Sequence, residues 1–308
     1  MGFEDNIPSD ISLSTVYSAL TEFFPDLLKK NIHFFYHGTY NVFQVENRFI
    51  ARFPDKSLRN EKGSQLIKNE IDILNLLRSF LSFKIPKPLH FSLNTENPFM
   101  VYEKIPGVSL SKCFNELNKT QKQKVANQIA HFLSELHSLR LDESSELKPL
   151  SIKEYRNYWM KINKEMRKDI IPKLNSKQKN WLDNVFSDFL EDNQNFEFTP
   201  CVIHGDFDTS NILVDPKSYN ITGIIDFEES SIFDPAADFL FYDEGKIFLK
   251  HILDNYKGIK EENFFNRMKF LYSRTCVPYF QFGLNYNRMD IYSEGMRKLK
   301  KNMKIFPI

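Results

Sequence analysis

Cysteine is nearly absent: three residues, at 113, 201 and 276, in no CxxC spacing. An odd, scattered set speaks against a disulfide framework or a thiolate zinc site and fits a reducing compartment. Glycine is also scarce, 10 among 308 residues, which removes collagen-like and glycine-linker architectures. No stretch approaches the roughly 18 uninterrupted apolar residues of a membrane span. The opening segment MGFEDNIPSD is acidic and has no apolar core of signal-peptide type, so a cytoplasmic protein is expected. An excess of one charge is missing too. Forty-one Lys and Arg stand against 40 Asp and Glu, a net +1, which disfavours nucleic acid as a partner. No repeat and no low-complexity tract is found.

What is present is enough for a large core. Hydrophobic residues are 42% and aromatic residues 15% of the chain, with 30 Phe and 13 Tyr. That composition excludes intrinsic disorder. Helical spacing over residues 12–28 carries Leu13, Val16, Tyr17, Leu20, Phe23 and Phe24. Residues 32–45 and 48–53 are rich in β-branched and aromatic residues and are joined by Glu46-Asn47. They predict a hairpin, with Gly38 in the turn or strand before it. Residues 64–80 return to a helix, with Leu66, Ile67, Ile71, Leu74, Leu77 and Phe80 on one stripe, broken by Ile85-Pro86-Lys87-Pro88. Residues 89–93 and 99–102 read as a second hairpin.

The segment EKIPG, residues 103–107, marks a boundary. It divides the chain into a smaller lobe, 1–103, and a larger lobe, 104–308. The second begins with a helix over 119–137 and has a helical insertion at about 140–195, with polar-rich helix over 150–192. Apolar strands return between 201 and 227 as CVIH, NILV and TGIIDF, and helix follows Asp238 to the end. A small β-rich N-terminal lobe and a larger, mainly helical C-terminal lobe make a bilobal α+β architecture.

The segment CVIHGDFDTSNILVD, residues 201–215, carries the chemistry. An apolar strand runs into His204-Gly205-Asp206, and Asn211 precedes the next strand. A carboxylate and an amide so spaced on a tight loop can converge on one point. Asp206 can accept a proton from a hydroxyl, and the Asn211 oxygen can ligate Mg²⁺. Farther on, GIIDFEE puts Asp226 at the end of another apolar run, at the tip of a hairpin, as a second metal ligand. Together these are the parts of a phosphoryl-transfer site. An Asx-rich surface turn is the plainer reading. It explains neither the apolar flanks nor the second carboxylate.

Upstream, Arg52 in FIARFP and Glu70 in KNEIDIL place a cation on a strand and an acid on the next helix, with Lys56 as a second candidate cation. The pair resembles the strand lysine and helix glutamate of protein kinases, with the guanidinium keeping the charge. The chain also departs from protein kinases. YHGTYNVFQV has one glycine, Gly38, and no GxGxxG. Asp226 is followed by Phe227 and Glu228, and no Ala-Pro-Glu follows. A protein acceptor is disfavoured.

Taken together, FIARFP, NEIDIL, EKIPGVSL, FLSELHSL, IHGDFDTSN, GIIDFEESSIFDPAADF and the region of Met289-Asp290-Ile291-Tyr292 resemble the aminoglycoside phosphotransferase family, which has the protein-kinase-like fold. The RFP, FLSELHS and C-terminal segments are most similar to the branch that phosphorylates the 2''-hydroxyl. The resemblance implies a resistance enzyme, a monomer, that uses ATP or GTP with Mg²⁺. It makes Asp206 the catalytic base, Asn211 and Asp226 the metal ligands, and the backbone of Glu103 and Ile105 the nucleotide-base hinge. Gly38, Arg52, Glu70 and Ile225 complete the nucleotide site. In two places the chain differs from that branch: Glu228 stands where it has glycine, and Glu229 is followed by Ser230-Ser231 rather than Ala.

Acidic residues crowd the segment after the loop: Asp208, Glu228, Glu229, Asp234, Asp238, Asp243 and Glu244. Such a patch would attract a polycation such as an aminoglycoside. Asp234 and Asp238 read as structural, capping a helix and bonding loop amides. Asp208, Glu228, Glu229, Asp243 and Glu244 remain candidates for ammonium contacts. His137 and His204 read as bracing histidines, Trp159 and Trp181 as core, and MRKLKKNMK as a solvated helix face. A macrolide, a choline-like amine or a sugar is the alternative acceptor. A non-catalytic nucleotide-binding module is disfavoured by the intact Asp206, Asn211 and Asp226.

Overall fold

A computed structural model describes residues 8–140 and 149–307. The first residues of the acidic N-terminus and residues 141–148 of the expected insertion lie outside these. Among the described residues the strands are β1 Ile32–His37, β2 Tyr40–Val45, β3 Phe49–Pro54, β4 Pro88–Ser92, β5 Phe99–Glu103, β6 Val108–Ser109, β7 Cys201–Ile203, β8 Ile212–Val214, β9 Ile221–Ile224 and β10 Ser231–Phe233. The α-helices are α1 Leu13–Thr21, α2 Glu61–Leu77, α3 Leu110–Cys113, α4 Lys119–Ser138, α5 Ile152–Asp169, α6 Ser176–Glu191, α7 Lys246–Asn255, α8 Phe264–Ser273, α9 Cys276–Asn285 and α10 Met289–Ile305. None is long and apolar enough to cross a membrane. All three cysteines are buried and free.

The chain forms two compact units. The first runs to Gln128 and takes in Thr209–Ser230; the second has Ile129–Asp208 and the chain from Ser231. In the first, an antiparallel sheet has the order β1-β2-β3-β5-β4. The stretch expected as one strand, 32–45, folds back at Gly38-Thr39 into β1 and β2, where the Gly38 N–H donates to the Tyr40 carbonyl at 3.0 Å. The Glu46-Asn47 junction is a turn as expected, with φ of 50° and 57° at its two residues. Two left-handed residues match the strand twist, as in type I′ hairpins. Helix α1 ends earlier than its pattern suggested. Pro25 disfavours helix at Phe24. Phe23 and Phe24 instead pack against His90 beyond the helix end. Val16, Leu20, Phe43, Ala51, Phe53, Phe99 and Val101 share that core. Helix α2 starts on an Asn60 cap that accepts from Lys62 and Gly63 amides. Strands β6, β8 and β9 form a second, three-stranded sheet.

The second unit is mainly helical. Residues 150–192 are two helices, α5 and α6, parted around Pro172, each opened by a capping box (Ser151 with Glu154, Asn175 with Gln178). Trp159 and Trp181 are buried, and Phe189 stacks on Phe270 of α8 with ring centroids 3.7 Å apart. Strand β10, too short for a visible period, pairs antiparallel with β7. Helices α9 and α10 cross closely because Gly283 and Gly295 lie at the contact. A Cβ on Gly283 would lie 2.7 Å from the Tyr292 amide nitrogen. This packing buries Leu299 and Asn302. The basic C-terminal segment is therefore a helix packed on one side, with Arg297, Lys300 and Lys304 on a solvated face as expected.

Candidate active site

Strand β3 is buried at all six positions, yet it carries Arg52. A guanidinium there must be matched by charge and hydrogen bonds. Its Nη1 donates to Glu70 Oε1 at 2.6 Å, and its Nη2 to Asp226 Oδ1 at 2.7 Å and Glu228 Oε2 at 3.4 Å. The fork lies over the Tyr40 ring, 4.1 Å from its centroid. Glu70, on the buried stripe of α2, also accepts from the Phe227 amide. Three carboxylates against one guanidinium leave an excess of negative charge. Burial and the neighbouring Asp226 push the Glu228 carboxyl up to about 8. Burial likewise pushes Glu70 up against the pull of Arg52.

Asn211 and Asp226 flank one hairpin. Ile212 pairs with Ile224, and the Ile225 amide donates to the Asn211 carbonyl at 3.0 Å. Asp226 follows directly, with φ of 71°. It therefore stands at the open end of the β8–β9 hairpin beside Asn211, and not at its tip. The tip is the Asp215–Asn220 turn. Side-chain amide and carboxylate oxygens are the hard donors that Mg²⁺ takes. Standing together at one end of the hairpin, these residues fit a divalent cation.

The other nucleotide candidates lie around the same unit. Gly38 is in the β1–β2 turn. Glu103 ends β5 opposite Phe49, and the next amide, Lys104, donates to the Arg48 carbonyl at 2.7 Å. Ile105 lies against Gly223 of β9. Ile225 is half-buried, and Lys56 is exposed on the turn after β3, apart from the Arg52 cluster.

In the second unit, β7 runs into the His204-Gly205-Asp206 loop. Gly205 has φ of 90°, a conformation that side chains resist. Asp238, fully buried, fixes this bend. Its Oδ2 accepts from the His204 amide at 2.8 Å and its Oδ1 from the Gly205 amide at 2.9 Å. His137 donates from Nε2 to Asp238 at 3.0 Å, while its Nδ1 meets the Tyr256 hydroxyl at 2.7 Å. Asp206, next along, is exposed. A rigid bend thus presents an accessible carboxylate.

The model of the phosphotransferase enzyme family matches residues 31–242, more than half of the chain. The chain belongs to that family. Solved structures agree on the fold. The GDP complex of a wild-type aminoglycoside 2'-phosphotransferase-IIIa is 22% identical, with a TM-score of 0.83 over 95% of this chain and 98% of that one. The GDP and kanamycin complex of APH(2'')-IIIa is 24% identical, with a TM-score of 0.83 over 94% and 98%. A macrolide 2'-phosphotransferase from Brachybacterium faecium is 14% identical, with a TM-score of 0.70 over 93% and 97%. The expected kinase-like α+β architecture is thereby confirmed.

The phosphotransferase's remaining acidic residues are placed variously. Asp234 caps the short turn at Ala236 and pairs with Arg267 at 2.9 Å, and Asp238 holds the loop, the structural roles expected of both. Glu228 faces Arg52. Glu229 is exposed, while Asp208 and Glu244 are half-buried. Asp243 accepts from the Tyr272 hydroxyl and pairs with Lys301 at 2.7 Å. Sequence reasoning missed Tyr40. Val42 pairs with Arg52, so Tyr40 is a same-face diagonal neighbour of Arg52, and the strand register was the signal.

Proposed function

We propose that this phosphotransferase transfers the γ-phosphate of ATP or GTP to a hydroxyl of an aminoglycoside, the 2''-hydroxyl by its resemblances, and so confers resistance. The observation that carries the reading is a guanidinium on a wholly buried strand, forked between Glu70 and the Asp226 that ends the Asn211 hairpin. Residues 1–103, with Ile105 and Ile225 from the rest of the chain, take the nucleotide: the backbone of Glu103 and Ile105 holds the base, Ile225 lines it, and Gly38 and Arg52 face the phosphates. Residues 104–308 take the acceptor. Asn211 and Asp226 would hold Mg²⁺, which supplies neutralisation of phosphate charge when bound. Asp206 orients the acceptor hydroxyl and takes its proton late, as the new O–P bond forms and the bond to the leaving nucleoside diphosphate breaks. The enzyme works as a cytoplasmic monomer, with neither nucleic acid nor membrane as a partner.

The ion pair between Asp243 and Lys301 favours a second reading, an acceptor with less positive charge such as a macrolide or a sugar. Nucleotide turnover by purified protein tests both, with ATP and GTP separately, with Mg²⁺, and with kanamycin, gentamicin, tobramycin, a macrolide or choline added. Aminoglycoside-dependent turnover is expected. Asp206→Ala should abolish it and leave nucleotide affinity largely intact; a tenth of wild-type turnover, about 1.4 kcal/mol of barrier, would sink the assignment. Turnover only with another alcohol would move the acceptor and keep the phosphotransfer.

A further inference from the structure

Arg52 makes its two short contacts only while its guanidinium keeps one plane. Nη1 reaches Glu70 Oε1 on α2 at 2.6 Å, and Nη2 reaches Asp226 Oδ1 after β9 at 2.7 Å. The group is flat, so tilting that plane takes both nitrogens off their carboxylates together. Tyr40 supplies the surface on which the plane rests. Its ring is 3% exposed, and the guanidinium carbon stands 4.1 Å from its centroid. Tyr40 is itself held firmly. It opens β2 directly after the Gly38-Thr39 turn, its carbonyl accepts from the Gly38 amide at 3.0 Å, and it pairs with Pro54 across the strands. The next residue, Asn41, is fully buried and donates to Asp10 at 2.7 Å, which anchors this end of the strand. The Tyr40 hydroxyl adds nothing to this: it is buried and has no hydrogen-bond partner among the described residues, and the same is true of Arg52 Nε. What Tyr40 gives the cation is therefore its ring face. A desolvated guanidinium that lacks a third hydrogen-bond partner gains most from such a face.

We propose that Tyr40 is a positioning residue for the nucleotide phosphates: its ring sets the plane of the Arg52 guanidinium, so that the fork stays on Glu70 and Asp226 and the charge meets the phosphates in a fixed orientation. The inference rests on the reading that Arg52 faces the phosphates. It also ties two features of the chain together. An arginine stands where protein kinases carry a strand lysine, and an ammonium has no plane for a ring to set. The aromatic shelf and the guanidinium form one device, and each needs the other.

Titration calorimetry of the full chain with Mg-ADP, Mg-GDP, adenosine and guanosine tests this. Tyr40→Leu should weaken the better-bound diphosphate about tenfold, the scale of one desolvated cation–ring contact. It should change affinity for the matching nucleoside by less than about twofold, because a nucleoside has no phosphate for Arg52 to meet. Tyr40→Phe keeps the ring and should bind as the wild type does. In an Arg52→Lys background, Tyr40→Leu should cost less than about twofold, since no plane is left to set. Four outcomes would each overturn the assignment: an unchanged diphosphate affinity in Tyr40→Leu, an equal loss for the nucleoside, an equal loss in Tyr40→Phe, or the full loss in the Arg52→Lys background. A wild type that binds none of the four ligands sinks the nucleotide reading. Urea unfolding of the same variants then decides the contact by itself. A Tyr40→Leu penalty that shrinks in the Arg52→Lys background upholds the ring as the support of the fork, and strict additivity overturns it. Circular dichroism of each variant guards against a folding defect.

Discussion

Arg52 shows why one residue type was needed. Its two terminal nitrogens reach two carboxylates on different elements, Glu70 of α2 and Asp226 after β9, at 2.6 and 2.7 Å, while its flat face rests on Tyr40. A lysine ammonium has the charge but not the fork or the flat face. Removing the cation leaves Glu70 buried beside other carboxylates with nothing to offset them. Arg52→Met should therefore cost about 3–5 kcal/mol of stability, the scale for breaking a buried pair on one side. Arg52→Lys should cost less. Urea unfolding checks both, and a loss below about 1 kcal/mol in Arg52→Met would mean that the cluster is no more than a surface pair.

At the scale of elements, what could be read from the sequence was whatever local pattern determines. The stripe Ile67, Ile71, Leu74 and Leu77 is buried as its period requires, and Glu70 rides on the same face. The candidate residues stood out because each sits at the end of an apolar strand, where the chain must bend: Asp206 after CVI, Asn211 before ILV, Asp226 after ITGI. Long-range closure was not legible. Nothing local says that β10 pairs with β7, or that Asp243 meets Tyr272 and Lys301 far along the chain. In the C-terminal helix the solvated face was legible but the buried side was not, because lysine stems cover apolar surface while their heads stay polar. Only the glycines betrayed its packing. A Cβ at Gly283 would meet the Tyr292 amide nitrogen at 2.7 Å and the Arg288 carbonyl oxygen at 2.9 Å, both backbone atoms. Gly283→Ala should thus push α10 off α9 and cost about 1–3 kcal/mol, as overpacking does. Thermal melting reads the loss. A stabilised variant would show that helix propensity outweighs the contact.

For the whole molecule, near-neutral net charge conceals acids whose environments pull in opposite directions, and the pH dependence of stability follows from them. Burial pushes Asp234, beside Arg267, up to about 6 from an ordinary 3.8. The folded state then binds this proton more readily than the unfolded chain, so its contribution to stability grows as pH falls from about 6 toward 4. Asp55 does the reverse. Burial raises it, but hydrogen bonds with Ser57, Asp10 and His37 outweigh burial and hold it at about 2. Its contribution is complete above about 4 and is lost as pH falls to about 2. Asp55 also belongs to the network that ties the N-terminal segment to the sheet. His37 meets the Pro8 carbonyl through Nδ1 at 2.8 Å and Asp55 through Nε2 at 3.0 Å, and Arg59 pairs with Asp10. Asp55→Asn should lower the melting temperature at pH 6, where the wild-type carboxylate is charged. The gap between variant and wild type should narrow steadily as pH is lowered from about 4 toward 2, because acid takes from the wild type what the variant already lacks. Melting curves at matched ionic strength decide it. A gap that stays constant down to that pH would show that the Asp55 charge adds nothing beyond the shape of its hydrogen bonds.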